Sequence, residues 1–192
     1  MVLSGAGSIQ GTCMPTTATQ LLRQQIRLAH EALEATMAGV TPAMAHAVPP
    51  GIANPLGATY AHLVCSEDML IQGMLKQSAP LAASAFAGAT GLSEPMPAPG
   101  PDWSRYPDWT RNLRIDLESL QRYAQAVYSA TDAYLEGLSD ADLEQPMDLS
   151  FVGLGQQTLG VMLSVLVLYH IGTETGEIAC LKGLQGVKGY PF

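Results

Sequence analysis

Apolar residues recur at three- and four-residue steps along most of this chain, and the pattern predicts four helices and no convincing strand. Between Thr19 and Ala38, Leu22, Ile26, Ala29, Leu33 and Met37 form one stripe of an amphipathic helix, stopped by Gly39 and Pro42. The second helix opens in "NPLGATYAHLVCSEDMLIQGMLK". Asn54 is its expected N-cap, Pro55 suits the first helical position, where the missing N–H costs nothing, and the helix continues to Lys76. A third starts near Asp108, its expected N-cap, and carries Leu113, Leu117, Leu120, Ala124, Val127 and Thr131 as far as Gly137. The fourth opens at Thr158 and ends near Gly183. Its first half is apolar on every face, the pattern of the most buried helix of the set.

The connections differ in kind. Residues 78–107, "SAPLAASAFAGATGLSEPMPAPGPDWSRYP", are rich in Ala, Gly, Ser and Pro and show no periodicity. A loop of that length inside a domain is either a mobile surface loop or a lid, an interface element or a crossover, and Trp103 and Trp109 are expected to anchor its end. The linker "LSDADLEQPMDLSFVGLGQQ" joins the third and fourth helices, with a short extended piece at "DLSFVG". Residues 1–16 read as a loose arm, and the glycine-rich tail "GLQGVKGYPF" as non-helical. The prediction is an all-α four-helix bundle, one domain over residues 17–192, with a long loop between helices two and three.

Composition narrows the class of protein. At 192 residues, 47% apolar and 14% charged, the chain has the balance of a globular domain. Its net charge is −8 and its nine basic residues are scattered, so it lacks the basic stripe of a nucleic-acid binder. Three cysteines without paired spacing point to free thiols in a reducing cytoplasm. There is no basic residue before Arg23 and no apolar leader, and the apolar run from Leu159 to Ile171 is too short to span a bilayer. A soluble cytoplasmic protein without membrane or nucleic-acid partners is expected.

The candidate chemistry lies in the histidines. His30, flanked by Glu31 and Glu34, is expected at a solvated boundary, and His46 sits in a Pro-rich loop with no assigned role. His62 and His170 are embedded in apolar stretches. In "LYHIGTETGEIACLKG", Glu174 follows His170 by four residues. Four residues turn a helix by about 400° and raise it about 6 Å, so the two side chains share a face. Such a pair is either half of a metal site or two polar groups satisfying one another. Glu177 returns to nearly the same face, as a partner or a base. Ser66 and Met69 accompany His62, whereas Glu67 and Asp68 point elsewhere. Lone helical cysteines such as Cys65 and Cys180 are ordinarily inert core residues.

Two of these segments resemble one family. "NPLGATYAHLVCSEDMLI" is similar to the second helix of the DinB-like (DinB/YfiT) metalloenzymes, in which a histidine precedes an "SED"-type stretch. "TLGVMLSVLVLYHIGTETGEIACLKGLQG" resembles their final helix, which carries H-x-x-x-H followed by a glycine and a short "E-I". The resemblance runs from about residue 17 to the end. It implies an up-down-down-up bundle, commonly a homodimer, with a divalent metal held by one histidine of the second helix and two of the fourth. The matching positions are His62, His170 and, where the family has its third histidine, Glu174. Two histidines and one carboxylate suit Zn²⁺ or a facial-triad Fe²⁺, and Ni²⁺ or Mn²⁺ are compatible. The carboxylate adds negative charge, so a cation there is a weaker Lewis acid than in a three-histidine site.

The resemblance further implies a metal-dependent transferase or hydrolase acting on a small molecule. A low-molecular-weight thiol is its expected cofactor and Glu177 its expected proton-transfer residue, with Tyr60 and Tyr169 as weaker candidates. The alternative is a non-catalytic dimeric bundle that binds a small apolar ligand or a protein partner and has lost the metal.

Overall fold

A computed structural model describes residues 16–97 and 103–191. Its frame is four long helices: Ala18–Met37; Leu56–Asp68, which runs on as a π-helical segment, Met69–Leu75; Leu117–Glu136; and Leu159–Leu184, which contains a second π-helical segment, Leu163–Tyr169. The first and second helices each pack against the third and fourth, so they occupy opposite corners.

Directions follow from which residues meet. Arg23, early in the first helix, binds Asp132 and Glu136 at the end of the third. Lys182, late in the fourth, donates to the carbonyls of Thr36 and Ala38 at the end of the first. Thr59, early in the second, donates to Glu177 late in the fourth. The first and fourth helices therefore run together and the second and third against them, an up-down-down-up bundle. Because helices two and three run the same way, the chain must return along the whole bundle between them, which explains the long connection.

Helix ends are satisfied by specific side chains. Thr17 and Gln20 form a reciprocal capping box, and Asp140 accepts from the Ala18 and Thr19 N–H groups at 3.2 and 2.9 Å. The buried Lys182 ammonium lies 2.6 and 3.0 Å from the last carbonyls of the first helix, where the helix dipole favours a cation. At the second helix Pro55, not Asn54, is the N-cap. Its carbonyl accepts from the Ala58 and Thr59 N–H groups, which leaves Asn54 one residue outside.

The third helix does not start near Asp108. Asp108 lies in the first turn of a short helix, Tyr106–Asn112, and the long helix begins at Leu117, with the Asp116 carboxylate accepting from the Ser119 N–H at 2.7 Å. Between the two, the backbone bonds to the long connection instead. Leu92 bridges Ile115, the Ser93 N–H donates to the Arg114 carbonyl, and the Asp116 N–H donates to the Gly91 carbonyl. His46, on a short helix Pro42–His46 between the first two bundle helices, accepts the Ile115 N–H at 2.9 Å.

Asp68 fixes the start of the same connection. Buried at 1% exposure, it accepts from the Leu81 and Ala82 N–H groups, each at 2.9 Å, and from the Tyr123 hydroxyl at 2.7 Å. Asp68→Ala is expected to orphan these donors, at a cost of about 1–3 kcal/mol. Amide exchange around residues 81–92 should then quicken while exchange in the first helix stays slow; unchanged protection across 81–92 would contradict the anchoring role.

Two short strands, Pro146–Asp148 and Gln156–Thr158, pair antiparallel in the last linker. The extended piece expected at "DLSFVG" is thus displaced: the strands flank a 3₁₀ turn at Ser150–Val152. The fourth helix is not the most deeply buried. Only 33% of its most apolar window is covered, and Val161 and Tyr169 lie on an open face. At 26 residues it is long and apolar enough by length and composition to cross a bilayer, unlike the shorter run read from the sequence. Its burial of Ile171, Ile178 and Leu181 within the core is that of a bundle member. The loose arm expected over residues 1–16 lies, except for its last residue, outside the described residues, as does the Trp103 side chain.

Candidate metal centre

Antiparallel packing of the second and fourth helices sets His62 against His170, with ring centroids 5.2 Å apart and the rings edge to face. One turn further along the fourth helix, Glu174 places a carboxylate oxygen 3.5 Å from His170 Nε2. One donor atom from each of His62, His170 and Glu174 lies within 4.8 Å of the other two, and all three residues are half-buried. Around an ion with bonds of 2.0–2.2 Å, neighbouring donors stand about 3–3.5 Å apart. The His170–Glu174 separation already matches, and His62 completes a set of donors within 4.8 Å of one another. The set fits a divalent cation.

The electrostatics agree with that fit. Burial and the neighbouring His170 push the His62 imidazole down to about 4, against the opposing pull of Glu174, so it is neutral at pH 7 with a lone pair to offer. Ser66 Oγ lies 3.5 Å from His62 Nδ1. With Nδ1–H directed at Ser66, Nε2 is the nitrogen that could hold a metal. Tyr106 packs edge-on against His62 at 5.2 Å, and burial together with the charges of Glu174 and Glu177 holds its hydroxyl well above the usual phenol range.

Glu177 stands apart from the three-residue cluster. It accepts from the Thr59 hydroxyl at 3.3 Å, and burial, then the Glu174 charge, raises its carboxyl above the usual range. Of the two tyrosines named from the sequence, Tyr169 is 67% exposed. Tyr60 is fully buried and donates to Glu34 at 2.7 Å, in a separate network.

That network crosses the core between the diagonal helices. His30 is buried, not solvated: its Nε2 is 2.9 Å from a Glu67 oxygen, and its ring stacks on Tyr128 at 3.9 Å. Thr131 donates to the other Glu67 oxygen, and Tyr60 and Tyr128 both donate to Glu34. The stripe reading placed Thr131 among apolar residues and His30 at its edge, so the partnership across helices had no signal in either pattern.

Beside the cluster opens a cavity of about 820 Å³. Both π-helical segments contribute to its wall, Met69, Leu70 and Met74 from one and Leu166 from the other. A π turn widens the helix and redirects side chains, a distortion frequent at functional sites. Met96 of the long connection and Phe151 and Val152 of the strand-flanked turn also line it. None of these loop residues carried a sequence signal, because apolar side chains outside a periodic segment look incidental.

A family model described as the DinB superfamily matches residues 25–173. Among solved structures, a conserved protein from Enterococcus faecalis aligns with a TM-score of 0.70 and 22% identity, covering 88% of this chain and 99% of that one. At that identity the likeness speaks for the fold. No curated protein matches the chain.

Proposed function

The chain belongs to the DinB superfamily, and from that premise we propose that it is a metal-dependent enzyme, a transferase or hydrolase acting on a small molecule. His62, His170 and Glu174 hold the ion. The observation that carries the reading is the convergence of two imidazoles and a carboxylate from two helices to within 4.8 Å, at the edge of a cavity. A bound Zn²⁺, Fe²⁺, Ni²⁺ or Mn²⁺ supplies a Lewis acid with open positions, which lowers the pKa of a thiol or water presented to it.

The protein's own groups have separable tasks. Ser66 orients His62, and the apolar wall limits water near the cluster. Glu177 accepts or returns a proton, a role supported by its raised pKa and by the fixed hydrogen bond from Thr59. The open face of the fourth helix at Val161 and Tyr169 supports a homodimer. The free thiols of Cys65 and Cys180 support a cytoplasmic setting. A bundle that binds an apolar ligand without metal is the second reading, and the apolar cavity is the observation in its favour.

Protein purified without chelator should contain about one ion per chain by mass spectrometry. Its melting temperature should fall by several degrees on chelation, since an ion bound only by the native state stabilises it by mass action. Less than about a tenth of an ion per chain, with an unchanged melt, favours the metal-free reading.

A further inference from the structure

Resting on the metal reading of the cluster, we infer that the substrate of this site has an uncharged, apolar body, seated in the 820 Å³ cavity beside His62 and His170. The volume falls within the usual range of small-molecule sites. Among the described lining residues there is no Lys, Arg, Asp or Glu. The polar lining groups are the two imidazoles and Ser66, and they sit together, with Ser66 Oγ 3.5 Å from His62 and the two rings 5.2 Å apart. Every other lining side chain is apolar. A site so divided takes a molecule with one donor group directed at the cluster and a hydrocarbon or aryl body along the rest.

Along the apolar wall, charge counts against the alternatives. A carboxylate or ammonium placed against Met69, Met74 and Leu166 loses its water and meets no counter-ion. Peptide-like thiols with several ionised groups would have to keep all of them outside. The wall is also incompletely covered: Met74, Phe151 and Val152 are 37%, 54% and 45% exposed, although large and apolar. A ligand over them removes that surface from water. Three methionines, Met69, Met74 and Met96, supply unbranched, polarizable side chains that adjust to ligand shape.

The test uses a neutral dye, Nile red, bound to chelator-treated protein and displaced by 1-butanol, 1-hexanol and 1-octanol, with hexanoate and hexylamine as charged controls. Metal content is measured separately on the untreated protein. Affinity should rise about three- to fourfold per methylene, as expected for hydrocarbon leaving water. Both charged controls should bind at least about tenfold more weakly than hexanol. Met74→Glu and Val152→Glu, at positions 37% and 45% exposed, should each weaken octanol binding by about tenfold. No dye or alcohol binding, no dependence on chain length, or hexanoate as tight as hexanol overturns the inference. Chain-length dependence in a protein that binds no metal leaves the apolar ligand standing and removes only the metal reading. Metal binding without chain-length dependence does the reverse.

Discussion

His62→Ala is expected to weaken divalent-metal binding by more than about a hundredfold, because even changes behind the ligand shell cost roughly ten- to a hundredfold. His62 is the single donor from the second helix. Without it the fourth helix offers only His170 and Glu174, an i, i+4 pair at 3.5 Å that any polar helix face can carry. Glu174 permits a sharper comparison. Glu174→Ala should lose the ion as His62→Ala does, whereas Glu174→His should retain it, since imidazole suits the same borderline cations. Equilibrium dialysis with Zn²⁺ or Co²⁺ reads all three variants. If Glu174→Ala binds as tightly as the parent, Glu174 is a neighbour and not a ligand.

Glu67→Ala is expected to produce the largest stability loss of any single substitution outside the metal cluster, about 2–6 kcal/mol, because two buried hydrogen-bond partners are left unsatisfied at about 1–3 kcal/mol each. Glu67 is 2% exposed, and its two oxygens are engaged separately, one by His30 at 2.9 Å and the other by the Thr131 hydroxyl. Its removal leaves both partners buried and unsatisfied and opens a cavity among three helices. The denaturant midpoint should fall steeply with the slope unchanged. Metal binding by the folded fraction should persist, because this network lies apart from His62. A loss below about 1 kcal/mol would mean that solvent reaches the network and replaces the bonds.

Periodicity made the four bundle helices legible, because each buries one stripe and the stripes repeat at helical steps. It failed between Leu113 and Leu117, where apolar spacing is continuous but the backbone of residues 114–116 bonds to residues 91–93. Such a tertiary pairing leaves no local pattern. It also misjudged the fourth helix: an apolar surround marks surface to be covered without saying by what, and here much of it stays open. That His62, His170 and Glu174 lie close together was legible in the motif resemblance, and the pairing of His170 with Glu174 in spacing alone. His30 was not, since its burial depends on Glu67, on a helix diagonally across the bundle. The cavity was equally hidden, being assembled from two π-distorted helices and two loops.

The most direct measurement is anomalous diffraction at the absorption edge of the metal that copurifies, or of Co²⁺ if the protein is loaded. The account predicts one strong peak per chain about 2.0–2.2 Å from an imidazole nitrogen of His62, an imidazole nitrogen of His170 and a carboxylate oxygen of Glu174. A peak held by other side chains, or no peak at these three in crystals grown with the metal in excess, would contradict it.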